Sequence, residues 1–292
     1  MRVAIKLMLV VFALALLLPG CEKNPGAPDY QKEITVFGYL WGNDTLNAER
    51  AIMIAYTQPV LARYTLENAA IRGASVTLTE TSTGRVYTLN ESPQRPGFYF
   101  NDSLVVQPKT TYNLEVKADG KVVRASTTVP PVLKLTTVLN PDSVNSVYQK
   151  NLSREKPILL EGESPDQIVL VDMYCNESYR DAEYTESFGG SRHPRNEEEY
   201  DGGVNGEPRH IRAMAKLGEF VSDEYPGQYV VNWYSSMIVF YGSNTMQVLA
   251  IDDNYHKFLY TEHPVYSGGV KGGLGVFGSV CGKTYQLMVL KP

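Results

Sequence analysis

The chain reads as mainly β, with an N-terminal immunoglobulin-like or transthyretin-like β-sandwich over residues 33–130. A second β-rich domain with one or two short helices is expected over residues 131–292. Two observations predict this. From Glu33 to Val129, β-branched and aromatic runs alternate with polar residues at period two, and six or seven short strands in about a hundred residues is sandwich spacing. Asp119-Gly120 also stands between two alternating runs, and such a pair signals a type I′ hairpin because both central residues must take positive φ.

Residues 1–20 read as a signal peptide. Arg2 and Lys6 precede an apolar run from Leu7 to Leu18, too short to span a bilayer comfortably. The run ends in Leu18-Pro19-Gly20-Cys21, which resembles a bacterial lipobox. Cleavage there would leave Cys21 as the first residue, acylated with chains such as palmitate. More than one acyl chain holds a protein stably on a membrane. The alternatives are an ordinary cleaved signal with a cysteine nearby, or an uncleaved anchor. Residues 21–32 lack apolar periodicity and read as a flexible tether.

In the sandwich, Ile34, Val36 and Tyr39 begin the first strand. Residues 75–80 and 85–89 form two more around Ser82-Thr83-Gly84. Tyr112 to Ala118 and Lys121 to Thr127 are the arms of the Asp-Gly hairpin, and Pro130-Pro131 ends the last strand and marks the domain boundary. Beyond it, Pro141, Pro157 and Pro165 interrupt a polar stretch before a strand over Gln167 to Tyr174. Residues 176–208, polar and Gly-rich, read as a long surface excursion. Further strands are expected over Gln228 to Trp233, Met237 to Tyr241, Gln247 to Ile251 and Tyr285 to Leu290. One helix is expected behind an Asp252 cap, because Tyr255, Phe258 and Leu259 stand at i, i+3 and i+4.

The segment Gly273-Leu274-Gly275-Val276-Phe277-Gly278 spells G-x-G-x-x-G, the pattern of a dinucleotide loop. Such a loop must open a helix and be followed by an acidic residue about twenty positions on. The residues after Gly278 contain no Asp or Glu and read as strand. Gly272, Gly273, Gly275 and Gly278 are therefore structural, at places where a strand kinks or lies close to another backbone. Gly282-Lys283-Thr284 fails as a phosphate loop because Phe277 stands where its first glycine belongs. A calcium loop starting at Asp201 has Asn205 and Gly206 in place but Gly203 and Arg212 at ligand positions, so the acidic stretch reads as solvated.

His193, His210, His256 and His263 show no metal spacing, and neither G-x-S-x-G nor C-x-x-C occurs. No catalytic residue, metal or cofactor is expected. A net charge of −5 argues against nucleic acid as a partner. Cys175 and Cys281 could form a disulfide or stand as two separate buried thiols. Twenty tyrosines, with Trp41 and Trp233, supply amphipathic faces suited to glycans, peptides or proteins. Tyr179, Tyr184 and Tyr200, in the polar excursion, are the candidates for ligand contact; the alternative is that tyrosine fills strand positions.

Four features resemble an uncharacterised family of Gram-negative outer-membrane lipoproteins, the domain-of-unknown-function 4249 family. They are the Cys21 start, Val36-Phe37-Gly38-Tyr39-Leu40, the hairpin segment KTTYNLEVKADGKVVRASTTVP, and VKGGLGVFGSV near the C-terminus. The similarity covers nearly all of the chain after Cys21; residues 140–210 depart from it. The resemblance implies an outer-membrane, lipid-anchored location, on the periplasmic or cell-surface face, and companionship with TonB-dependent β-barrel receptors. It supplies no catalytic residues. The expected function is that of a non-enzymatic accessory or ligand-binding partner of such a receptor. The alternative is an independent cell-surface adhesin or glycan-binding protein, with a hydrolase whose site is unrecognised as the third reading.

Overall fold

The computed structural model describes residues 30–59, 62–63, 65–188, 190, 192–202 and 209–292. The expectations for the signal peptide, Cys21 and most of the tether lie outside the described residues, as do those for Gly203, Asn205 and Gly206. Glu33–Thr57 and Tyr64–Pro292 form one compact unit. In the other unit, Met1–Lys32 with Gln58–Arg63, the described residues hold no regular helix or strand.

The N-terminal strands are β1 (Ile34–Trp41), β2 (Thr45–Leu46), β3 (Ile52–Tyr56), β4 (Ser75–Glu80), β5 (Val86–Glu91), β6 (Phe98–Val105), β7 (Thr111–Ala118) and β8 (Lys121–Thr128), with a one-turn helix α1 (Leu66–Ala69) after β3. Their period-two pattern becomes burial on one face: Ile34, Val36 and Leu40 of β1 point inward while Phe37, Tyr39 and Trp41 take the other side. The sheet runs β1-β3-β6-β5-β4-β7-β8 and curls around a core that includes Val36, Ile54, Leu78, Tyr112, Val116 and Val123. Tyrosine serves that core because its hydroxyl finds partners there. Tyr99 donates to the Ile71 carbonyl at 2.7 Å, and the Tyr112 hydroxyl accepts from the Gln107 amide at 2.9 Å. The predicted hairpin is present: Ala118 faces Lys121, and Asp119 and Gly120 have φ of 48° and 74°.

After Pro131 come β9 (Lys134–Thr136), β10 (Val144–Val147), α2 (Gln149–Glu155), β11 (Ile158–Glu161), β12 (Ile168–Cys175), α3 (Glu197–Gly202), β13 (His210–Lys216) and β14 (Tyr229–Val231). β15 (Gly242–Ile251), α4 (Asp253–Tyr260), α5 (Pro264–Ser267), β16 (Val270–Lys271) and β17 (Leu274–Val289) complete the chain. Strands β13-β12-β15-β17 continue into β1, so one sheet runs through both parts. β17 pairs in parallel with β1 from Leu274 opposite Thr35 to Val280 opposite Trp41, then antiparallel with β15 along its whole length. A second core lies between this sheet and the three-stranded sheet β14-β11-β9, with Val169, Val248 and Leu287 on one side and Ile158, Leu160 and Val231 on the other.

Two expectations are corrected. Met237 to Tyr241 is not a strand: a 3-10 turn over Tyr234–Met237 runs into an irregular segment with a single bridge from Phe240 to Tyr184. All five residues are buried, and an unbroken apolar run reports burial without reporting period. Residues 176–208 are also more than a surface excursion, since Ala182, Tyr184, Thr185 and Tyr200 are buried within them. α4 lies where the Asp252 cap predicted it, whereas α2, α3 and α5 carried no sequence expectation.

Candidate functional site

Among the described residues, the outer edge of β8 pairs with another strand only at Ala125 and Arg124, opposite β16. Beyond Ala125 the edge is held by side chains. Asn254 Nδ2 donates to the Ser126 carbonyl at 2.7 Å and to the Phe277 carbonyl at 2.9 Å. Thr127 Oγ1 donates to Asp252 Oδ2 at 2.6 Å, while Asp252 Oδ1 accepts the amides of Tyr255 at 3.0 Å and Ser279 at 3.1 Å. Ser279 Oγ reaches the Thr128 carbonyl at 3.1 Å. The residue that caps α4 thereby clamps β8 to β17. Burial raises the Asp252 carboxyl pKa above its ordinary value, outweighing the hydrogen bonds that favour the anion.

Two recesses flank this clamp, and both touch Ser126 and Asn254. The first, about 610 Å³, has Val129, Pro130, Pro131, Ile168 and Ile251 as apolar walls and Lys109, Asp166 and Gln167 as polar members. The second, about 660 Å³, lies over the outer face of β4, β7 and β8, where Arg124 and Glu115 pair at 2.9 Å. Both fall within the size range of small-molecule sites. In the first, Gln167 Nε2 donates to the Pro131 carbonyl at 3.0 Å, but its buried Oε1 has no hydrogen-bond partner among the described residues. Lys109 is paired with Glu163, Asp166 with Lys216 at 3.0 Å and Asp253 with Lys257 at 2.5 Å.

The glycine segment belongs to the framework of this site. Gly272 and Gly273 lead into β17, and Gly275, at φ 108°, lies where a Cβ would strike the Val36 carbonyl oxygen of β1. At Gly278 a Cβ would come within 2.9 Å of Asp252 Oδ1 and 3.0 Å of Tyr255 Cβ. These glycines allow β1 and α4 to approach β17.

Tyr184 and Tyr200 are only 5% and 2% exposed and pack with Phe240 and Cys175, with Tyr179 beside them. The expectation of ligand contact is corrected for Tyr184 and Tyr200, whose rings are buried, while Tyr179 is half-buried. Tyr184 stacks on Phe240 with centroids 4.6 Å apart, and the Tyr200 hydroxyl donates to the Glu177 carbonyl; apolar contact and a buried acceptor hold both rings inward. Cys175 and Cys281 are separate free thiols. Their partners on β15 are Asn244 and Ala250, a separation along the strand of roughly 20 Å, whereas a disulfide needs Cα atoms within about 7 Å. Burial raises both thiol pKa values. Among the described residues no group of three His, Cys, Asp or Glu could hold a metal.

Sequence reading found the parts of the clamp without its function. Asp252 was legible as a cap and Pro130-Pro131 as a stop; that they wall one recess depends on pairings between distant strands.

No curated protein matches the chain. Among solved structures it is similar to one titled "Crystal structure of tetra-tandem repeat in extending region of large adhesion protein", at 14% identity and a TM-score of 0.20. That likeness covers 89% of this chain and 50% of the other, so the chain spans half that structure's length. At this TM-score it carries no weight for fold or function. A family model described as "Domain of unknown function (DUF4249)" matches residues 29–286. On that match, which takes in every strand but the end of β17, the chain belongs to the domain-of-unknown-function 4249 family.

Proposed function

We propose that the protein is a non-enzymatic lipoprotein of the outer membrane, tethered through Cys21, that captures ligand for a TonB-dependent receptor or caps its barrel. The observation that carries this reading is the recess beside Pro130-Pro131. Its lining includes hydroxyls, carboxylates and one lysine but neither His nor Cys. Its buried carboxylate, Asp252, is committed to three structural hydrogen bonds. The Thr127 hydroxyl beside it is tied into the same clamp between β8 and β17, which supports a recess that holds a molecule over one that reacts with it. The Leu18-Pro19-Gly20-Cys21 sequence supports the tether.

The test is a gentle-detergent pull-down of the tagged, natively lipidated protein from its own membrane. A β-barrel receptor recovered in near-equal amount supports the proposal, and recovery of the lipoprotein alone counts against it. A second reading, an independent adhesin or glycan binder, is favoured by Tyr260 and Tyr266, which are 57% and 70% exposed on α4 and α5. Glycan-array binding that disappears in a Tyr260→Ala, Tyr266→Ala double variant would establish it.

A further inference from the structure

The second recess, about 660 Å³, lies over the outer face of β4, β7, β8 and β16, where register sets the side chains in rows. In one row Thr81 Oγ1 donates to the Thr111 carbonyl at 3.0 Å, and the Thr111 and Thr128 hydroxyls bond each other at 2.8 Å. Another row holds Thr77, Glu115, Arg124 and Lys271, with Glu115 shared between Arg124 at 2.9 Å and Lys117 at 2.6 Å. Between these rows stand Thr79, Asn113 and Ser126, in register on adjacent strands and lining the recess. None of these three side chains has a hydrogen-bond partner among the described residues. Side chains directly opposite on neighbouring strands are close enough to pair, so this row is open where the rows on either side are closed.

Charge is uneven in the same place. Arg124 reaches Glu115 Oε2 through both Nε and NH2, which commits its cation. Lys271, opposite Arg124 on β16, has no ion-pair partner among the described residues. No aromatic ring is among the described residues that line the recess, so recognition there comes from hydrogen bonds and the Lys271 charge. We propose that this recess binds a polyhydroxylated monocarboxylate of the sugar-acid class, its carboxylate on Lys271 and its hydroxyls over Thr79, Asn113 and Ser126. A simple alkyl acid leaves the open row unused, and a neutral sugar leaves the cation unused. The same chemistry is found in a free sugar acid and in a uronate unit of an acidic polysaccharide. The assignment goes beyond the ligand reading of the Pro130-Pro131 recess and does not depend on it.

The experiment is calorimetric titration of the full-length protein in neutral detergent with D-galacturonate, D-galactose, acetate and inorganic phosphate, each against wild type, Lys271→Met and Asn113→Val. Tri-galacturonate forms the polysaccharide arm. Saturable galacturonate binding is expected, about tenfold or more tighter than that of galactose, acetate or phosphate. Lys271→Met should bring galacturonate down to the level of galactose, and Asn113→Val should weaken galacturonate about tenfold. Both variants should melt no lower than wild type, because Lys271 makes no ion pair and valine suits a strand, which separates lost binding from lost folding. Tri-galacturonate that binds at least as tightly as galacturonate identifies a polysaccharide unit as the ligand, and weaker binding identifies a free sugar acid.

Galactose bound as tightly as galacturonate would overturn the role of charge, and acetate or phosphate bound as tightly would overturn the role of the hydroxyl row. Absence of saturation by every probe would overturn the site itself, and the receptor pull-down judges the broader reading separately. Galacturonate binding unchanged in Lys271→Met or in Asn113→Val would overturn the placement.

Discussion

Asp252 caps α4 and clamps β8 to β17 while remaining a buried carboxylate with a raised pKa. In the pH interval between its unfolded and folded pKa values, the folded state holds the proton more tightly, so its contribution to stability improves as pH falls through that interval. Glu115, Glu161 and Glu199, held below the ordinary range chiefly by hydrogen bonds from Lys117, Lys134 and Arg192, act in the opposite sense and lose their contribution on acidification. Asp252→Asn should retain the cap and remove the buried charge. Its melting temperature, measured from pH 7 to pH 4, should start at or above wild type and lose ground as wild type gains; parallel curves would refute the assignment. Glycine offers a second contrast. Gly275→Ala places a Cβ against the Val36 carbonyl and should cost more than Gly84→Ala, whose site at φ 70° has open space around it. The latter should lose about 1–2 kcal/mol from the left-handed backbone alone. Urea unfolding of the two variants decides the order.

At the scale of elements, the legible parts were those whose signal is local. The type I′ hairpin needs only two residues at positive φ between alternating runs, and α4 needs only a cap and a helical stripe, so both followed from short stretches. The 3-10 turn before Ile238 was not legible, because Met237 to Tyr241 is apolar throughout and its fate is set by Tyr184 across the bridge. Tyr184 and Tyr200 misled for a related reason: the polar residues around them in sequence are not their neighbours in space. Cys175 and Cys281 lie at different heights of the central sheet. In a Cys21→Ser variant, neither should react with a thiol reagent in the native state, both should react after unfolding, and electrophoretic mobility should not depend on reductant. Thiols that stay unreactive after unfolding and appear only on adding reductant would show a bridge instead.

At the scale of the molecule, β17 joins the parts on either side of Pro130-Pro131 by pairing with β1, β15 and β10. Trp41 lies on β1 and Trp233 packs against the second core, so single-tryptophan variants should report the same melting temperature; two transitions several degrees apart would show that the parts unfold independently. The recess was illegible in sequence because β8, β12 and the cap of α4 meet only through this topology. The same pairing has a consequence for how the chain is made. β1 and its parallel neighbour β17 are far apart along the chain, so the edge of β1 stays open until Leu274 and the residues after it have been made. A chain cut short before Leu274 leaves that edge bare, and its fate is proteolysis or association with another strand. Parallel closure of β1 on β17 therefore acts as a check on synthesis, sealing only a chain that carries both strands.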